Sequence, residues 1–361
     1  MSGREEDARW MRRCLELAGR ARGRTAPNPM VGAVVVRDGE VLGEGYTYPP
    51  PGAHGEVAAL RRVADARGAT MYVNLEPCCH HGRTPPCTDA VLAAGIKRVV
   101  VGLVDPFPQV RGQGIRILRE AGVEVTVGVE EEACRLLNAG FVKAVETGLP
   151  YVWLKAGASL DGRIADAGGR SKWITSEEAR AEGRRIRDRV DAILVGSGTL
   201  LADDPALTTR IEGGHDPLPV ILDSGLRCPA DARVLRGPRR PVIVCREHAP
   251  ERALPADILR VPEGVGGLDL DAVMRALVAR GVHNVLVEGG GAVHRSLIDA
   301  GLADRLLLFL APTALAGGAG FVGGPPLALA DAPRWTLRSV RQVGPDALLD
   351  LDLTPERSPE L

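Results

Sequence analysis

The period of the apolar positions changes repeatedly along this chain, and each change marks an element. Trp10, Met11, Cys14, Leu15 and Ala18 recur at the spacing of one helix face, so the chain is expected to open with an amphipathic helix. Apolar runs at 31–36 and 41–46 then flank Arg37-Asp38-Gly39-Glu40, and two extended segments around Asp-Gly predict a hairpin. Helical and extended patterns alternate from there: helix 56–66, strand 70–75, helix 87–94, strand 98–103, helix 115–120, strand 123–127 and helix 131–146. Residues 1–147 are therefore expected to form a three-layer α/β domain.

Thr147-Gly148-Leu149-Pro150 carries helix-stopping chemistry, and a new apolar run starts at Tyr151, which places a domain boundary here. Beyond it the runs 192–195, 220–222, 242–244, 284–287 and 305–310 have the unbroken character of strands covered on both faces. Helical spacing near 177–189, 271–279 and 292–299 separates them, so residues 150–361 are expected to form a second α/β domain. A chain of 361 residues, 45% of them hydrophobic, is long enough for both cores.

Charge and cysteine content narrow the partners. The 45 basic and 46 acidic side chains nearly cancel, and aromatic residues make up 3%, which argues against a basic, base-stacking nucleic-acid surface. No run of about 18 apolar residues is visible, and MSGREEDARW is charged where a signal peptide would be apolar, so no membrane partner and a cytoplasmic location are expected. Seven cysteines are the wrong arithmetic for a secreted disulfide framework, and three of them crowd between Cys78 and Cys87. That crowding points to a metal.

The chemistry follows from spacing. His54-Gly55-Glu56 opens a predicted helix, and strand 70–75 ends in Glu76-Pro77-Cys78-Cys79-His80-His81-Gly82-Arg83-Thr84-Pro85-Pro86-Cys87. A catalytic zinc takes three protein ligands and keeps one place for water, and an imidazole with two thiolates balances its charge. Glu56, two residues from His54, is suited to move protons beside the metal without binding it. The residues leave the cysteine partner open: eight residues separate Cys78 from Cys87, where P-C-x-x-C is usual, so Cys79, His80 and His81 compete as ligands.

In the second half, the run 282–287 leads into Glu288-Gly289-Gly290-Gly291-Ala292-Val293-His294-Arg295-Ser296, a strand, glycine turn and helix start suited to phosphate. Gly196-Ser197-Gly198-Thr199 is a second such turn. Lys155 lies mid-strand in an apolar run, where a lysine needs a partner or a function; Asp161 or the substrate is the expected partner.

PCCHHGRTPPC, the turn Ala26-Pro27-Asn28-Pro29-Met30-Val31-Gly32 and the runs at 155–163, 171–176 and 201–210 together resemble the bifunctional riboflavin-biosynthesis deaminase/reductase family. The resemblance spans nearly the whole chain. It implies a cytidine-deaminase-like domain, with zinc on His54, Cys78 and Cys87, Glu56 as acid/base and Asn28 on the pyrimidine edge. It further implies a dihydrofolate-reductase-like domain with NADPH contacts at Gly157, Trp173, Thr199, Asp203, Ser224 and Gly290, Gly291, Ala292, Val293, His294, Arg295 and Ser296. Substrate contacts are implied at Ser171, Arg187, Leu207, Arg210 and Glu288; Lys155, from its mid-strand place rather than from the resemblance, is a candidate for orienting the substrate. The expected activity is zinc-dependent deamination of a phosphoribosylaminopyrimidine followed by NADPH-dependent reduction of its ribosyl group, in a homo-oligomer. A nucleoside, nucleobase or tRNA deaminase with an appended α/β domain is the competing enzyme, and a zinc-stabilised binding protein the non-catalytic alternative.

Overall fold

In the computed structural model, residues 3–50, 52–82 and 84–353 are described. The chain divides into two compact units, Met1–Gly148 and Leu149–Leu361.

The first unit runs α1 (Gly3–Gly19), β1 (Gly32–Arg37), β2 (Glu40–Tyr46), α2 (Gly55–Leu60), β3 (Thr70–Leu75), α3 (Cys87–Ala93), β4 (Arg98–Leu103), α4 (Gln113–Glu120), β5 (Glu124–Val127), α5 (Glu131–Leu137) and α6 (Ala139–Thr147). Its sheet has the order β2-β1-β3-β4-β5, with β1 antiparallel to both neighbours and β3, β4 and β5 parallel. The hairpin forms at Asp38-Gly39, both with positive φ (53° and 80°), the geometry that matches strand twist. Helix α1 buries Trp10, Met11, Cys14, Leu17 and Ala18 on the sheet. It packs with α5, while α2, α3 and α4 form a second group, giving three layers.

Two helices differ from the periodicity. The segment expected at 56–66 stops at Leu60, because the N–H groups of Arg62 and Val63 turn to carbonyls three residues back. The single helix expected at 131–146 is broken at Asn138, whose backbone (φ −100°, ψ 22°) leaves the helical region and starts α6. Its side chain faces inward, as described below.

The second unit runs β6 (Tyr151–Ser159), α7 (Glu177–Arg187), β7 (Ala192–Gly196), α8 (Ser197–Asp203), β8 (Leu218–Leu222), β9 (Val242–Arg246), β10 (Asp257–Val261), the short ribbon β11 (Glu263–Gly264) and β12 (Gly267–Leu268), α9 (Leu270–Val278), β13 (Asn284–Val287), α10 (Gly291–Asp299), β14 (Arg305–Ala311), β15 (Trp335–Val343) and β16 (Asp346–Leu353). Its nine-stranded sheet has the order β10-β9-β8-β7-β13-β6-β14-β16-β15. The strands from β10 to β14 are parallel and the β15–β16 hairpin is antiparallel. Central strand β13 buries Val285, Leu286 and Val287 completely. Parallel strands put their carboxyl ends on one edge, where open α/β sheets bind ligands. The turns after β6, β7, β8 and β13 all emerge there. Among the described residues, no helix is long and apolar enough to cross a membrane.

Candidate functional site

In the first unit, buried strand β3 delivers Glu76-Pro77-Cys78 to the sheet edge, and His54 and Cys87 stand at the starts of α2 and α3. The His54 Nδ1 atom lies 3.6 Å from Cys78 Sγ and 3.3 Å from Cys87 Sγ. Among the described residues, these three supply the donor atoms that gather for one ion, all within 4.8 Å of one another. Cys79 turns away to the Gln109 carbonyl and His81 is exposed. His80 remains near Phe107 with a buried, unpartnered Nδ1. Glu56 is 2% exposed and its Oε2 has no hydrogen-bond partner among the described residues, a cost that a proton or a water must offset. The donor set and this orphaned carboxylate fit zinc with an open coordination place.

Electrostatics agree. Burial pushes the Glu56 carboxyl up to about 7, the negative Cys78 adding to it, so this group exchanges protons near neutral pH. The Cys78 thiol is lowered to about 4 by the hydrogen bond from Cys87 and then by His54. Cys87 is raised, because the Cys78 thiolate stands beside it in a buried place. Hydrogen bonding to Cys78 also raises His54.

Buried polar side chains hold the surrounding turns. The Glu76 carboxylate accepts N–H bonds from Asp105 (3.2 Å), Gly112 (2.8 Å) and Ile115 (3.1 Å), tying the end of β3 to the start of α4. The Asn28 turn is clamped in the same way. Asn138 accepts from Met30 N at 2.8 Å and donates to Met30 O at 3.0 Å. Asn74 accepts from Gly32 N at 2.7 Å and also donates to Met30 O, while Thr47 Oγ1 accepts from Val31 N. Val31 O lies 2.6 Å from where a Cβ on Gly55 would stand, so the turn abuts α2 one residue from His54.

In the second unit a cleft of about 700 Å³ is lined by Lys155, Gly157, Ser171, Trp173, Arg187, Asp203, Arg210 and Glu288, joined by Lys172, Arg180, Arg184 and Arg233. Arg187 is not a free fork. Its Nε and Nη2 donate to the two Glu288 oxygens at 2.9 and 2.7 Å, and its Nη1 donates to Thr208 O at 2.9 Å. Burial would raise the Glu288 carboxyl, but Arg187, Lys155 and Arg210 overcome it and hold it down to about 2. Arg210 has no partner among the described residues; burial and the neighbouring Arg187, Arg233 and Arg184 lower its pKa. Lys155 does not pair with Asp161, which instead accepts from Ser159 Oγ, Leu315 N and Ala316 N. The lysine Nζ lies 5.6 Å from the Phe309 ring and its charge acts on Glu288. Trp173 is 68% exposed, with the Arg180 guanidinium 4.4 Å over its ring, and Lys172 pairs with Asp203 at 3.2 Å.

Several expected cofactor contacts lie outside that cleft. Thr199 sits in α8 opposite Gly290, where a Cβ would find Thr199 Oγ1 as its nearest neighbour at 4.0 Å, so the space between them is open. Helix α10 begins at Gly290 without a side-chain cap, leaving the first-turn N–H groups of Gly291 and Ala292 for an anion. The side chains farther along are engaged inside the protein: Val293 packs on Gly289, His294 bridges the Phe321 and Val287 carbonyls, Arg295 pairs with Asp299, and Ser296 donates to Ala292 O. The Leu207 side chain belongs to the core, at 2% exposure. Ser224 follows β8, two strands from β13.

Comparison with known proteins carries the decision. Residues 4–103 match the cytidine and deoxycytidylate deaminase zinc-binding region, and residues 150–349 match the RibD C-terminal domain. The riboflavin biosynthesis protein RibD of Escherichia coli (strain K12) is 43% identical over 96% of this chain and 99% of its own length. The chain belongs to the RibD family. It is accordingly a bifunctional deaminase and reductase of riboflavin biosynthesis, with a cytidine-deaminase-like zinc domain and a reductase domain of the dihydrofolate-reductase-like fold. Two RibD-family structures extend the likeness to three dimensions. A Thermotoga maritima diaminohydroxyphosphoribosylaminopyrimidine deaminase/5-amino-6-(5-phosphoribosylamino)uracil reductase superposes with TM-score 0.90 at 35% identity, over 97% of this chain and 99% of that one. Acinetobacter baumannii RibD does so with TM-score 0.90 at 38% identity, over 97% and 99%.

Sequence reasoning did not find Asn74, Asn138, Thr47 or Glu76 as supports of the deaminase site. Asn74 left a signal, an amide inside the apolar run of β3. Asn138 left none, since a polar residue inside the single helix expected at 131–146 reads as a solvated position.

Proposed function

We propose that the first domain deaminates 2,5-diamino-6-(5-phosphoribosylamino)pyrimidin-4-one and that the second reduces the ribosyl group of 5-amino-6-(5-phosphoribosylamino)uracil to ribityl with NADPH. The deaminase reading rests on one observation: three donor atoms within 4.8 Å of one another beside the buried, unpartnered Glu56 oxygen. His54, Cys78 and Cys87 would hold zinc, which when bound supplies the Lewis acidity that makes water nucleophilic near neutral pH. Glu56 takes the proton from that water and returns it to the departing amine, a task matched by a carboxyl at about 7. Asn28, on its clamped turn, hydrogen-bonds the pyrimidine edge.

In the reductase domain NADPH supplies the hydride, and the protein supplies position and charge. Gly290, Gly291 and Ala292 offer backbone N–H groups to the pyrophosphate, with Thr199 across the gap; Gly157, Trp173 and Asp203 line the path toward the substrate. Arg210, which lies beside Arg187, Arg233 and Arg184 and has no partner among the described residues, grips the substrate phosphate. Arg187 has the supporting role of fixing Glu288, whose remaining lone pairs accept ribose hydroxyls, while Lys155 and Ser171 orient the chain and the Leu207 backbone contributes at the rim. Seven cysteines, all free thiols, suit the reducing cytoplasm, where we place the enzyme. We also propose a homo-oligomer, supported by exposed Leu337 and Val340 on edge strand β15; sizing in solution tests it. The deciding experiment incubates the protein anaerobically with the diaminopyrimidine phosphate. Ammonia is expected without NADPH, and NADPH oxidation only after ammonia release; absence of either refutes the assignment of that domain.

A further inference from the structure

Arg210 is carried by irregular backbone, the connection 204–217 between α8 and β8. Three residues of this stretch that carry side chains take positive φ: Asp204 (40°), Leu207 (54°) and Arg210 itself (55°). An L-residue of that hand is unfavourable, so it persists only where the surroundings over-determine it. The Arg210 side chain is exposed and has no partner of its own among the described residues, so its direction is set by the backbone beneath it.

Few contacts hold that backbone. At the near end Arg233 N donates to Asp204 Oδ1 at 2.8 Å, and the Leu207 side chain is sunk in the core. Thr209, immediately before Arg210, is buried. Its N–H donates to Asp216 Oδ1 at 2.6 Å, and its Oγ1 accepts from Ile211 N at 3.2 Å. A Cβ on Gly214 would stand 2.9 Å from Thr209 Oγ1, so the two arms of the connection touch. The Asp216 carboxylate therefore spans the neck of the loop, joining the residue before Arg210 to the residue two positions ahead of β8. Asp216 is held in turn by Arg239, whose Nη1 donates to its carbonyl at 3.2 Å.

The same arch is fastened to the end of α7. Arg187 Nη1 donates to Thr208 O, and His215 N donates to Asp188 Oδ1 at 2.6 Å. Since Arg187 also fixes Glu288, one run of contacts joins the carboxylate of the cleft to the backbone that presents Arg210. Asp216 closes that run from behind and does not line the cleft. A guanidinium on a long side chain keeps register with a phosphate only when its base does not move.

We propose that Asp216 is a positioning residue of the reductase domain: through Thr209 it locks the left-handed backbone at Arg210 and so sets how tightly the phosphorylated substrate is held. The proposal rests on the reading of Arg210 as the phosphate-gripping residue and adds the group that makes this grip possible.

The test is steady-state NADPH oxidation by the full-length protein, with the aminouracil phosphate and with its dephosphorylated analogue. The chains compared are the native one, Asp216→Ala, Asp216→Asn, Arg210→Ala and the double variant of Asp216→Ala with Arg210→Ala. Asp216→Ala should raise KM for the phosphorylated substrate roughly 10-fold, with kcat within about 2-fold and the analogue unaffected. Asp216→Asn keeps an acceptor oxygen and should lose only about 2- to 3-fold. In the Arg210→Ala background the alanine change should add less than about 2-fold, because the arginine it serves is gone. Turnover of the analogue reports that each chain is folded; where the alanine chain does not fold, the cycle is read on Asp216→Asn, whose loss must vanish without Arg210. A full loss persisting without Arg210, an equal loss with both substrates, or an asparagine variant no better than alanine overturns the proposal. Unchanged KM in Asp216→Ala also overturns it and leaves the reading of Arg210 intact. If Arg210→Ala fails to separate the two substrates, that reading falls and takes the proposal with it.

Discussion

The two sites are built on opposite plans. The deaminase site gathers its chemistry from two short stretches, 54–56 and 78–87, and then buries polar side chains around it to fix the turns. The reductase site draws single residues from β6, α7 and the turns after β7, β8 and β13, and leaves a cleft of about 700 Å³ lined by charges. A metal centre tolerates little displacement, so its ligands sit on rigid element ends. A long dinucleotide and a sugar phosphate need many weak contacts along an edge instead.

The contrast predicts different sensitivities. Glu56→Gln should keep zinc, measured by elemental analysis, while ammonia release falls roughly 10²- to 10⁴-fold and NADPH oxidation with supplied aminouracil phosphate is untouched. Unchanged ammonia release would remove Glu56 from the chemistry. Next in size, Arg210→Ala should raise the reductase KM for the phosphorylated substrate roughly 10- to 100-fold and leave deamination alone. An equal loss with a dephosphorylated analogue would show that Arg210 does not read phosphate.

A smaller effect is expected from a residue that holds the Asn28 turn from behind. Asn138→Ala leaves Met30 N without its partner, so the deaminase KM should rise about 10-fold with zinc retained, and Asn138→Asp, which keeps the acceptor, should recover part of it. A loss of kcat with unchanged KM would contradict a role in holding the Asn28 turn. The family match for the deaminase ends at residue 103, so this support comes from beyond the matched region.

The smallest effect is one of pH. The Glu288 carboxyl lies at about 2 in the fold, below its ordinary value. A depressed carboxylate contributes its full stabilisation above about pH 4.3 and loses it as pH falls toward the folded value. The melting-temperature difference between the native chain and Glu288→Gln should therefore shrink as pH falls from about 4.3 toward 2. A constant difference across that window would show that the Arg187–Glu288 pair is not what acid breaks.

The metal site was legible because its candidate ligands cluster in sequence and carry rare chemistry, but spacing left Cys79, His80 and His81 in competition, and folding gathers His54, Cys78 and Cys87. Lys155 could be singled out by its apolar strand; of its two expected partners, Asp161 and the substrate, Asp161 is taken up by Ser159, Leu315 and Ala316 instead. The β15–β16 hairpin went unseen since both faces of β15 are largely exposed and show no clean alternation. Helix α8 was read as a glycine turn alone.

Periodicity and spacing by themselves determined two α/β domains, a metal site with its acid/base, and a glycine turn at a strand end. These are local properties: period follows from backbone geometry, and ligand spacing from the turns between element ends. Tertiary structure decided which strand ends stand side by side, that Arg187 is tied to Glu288 while Arg210 has no partner among the described residues, and that Asn138 faces inward. Strand order brings together residues whose separation along the chain carries no trace of their contact, and only folding reveals which charges are already matched and which remain for a ligand.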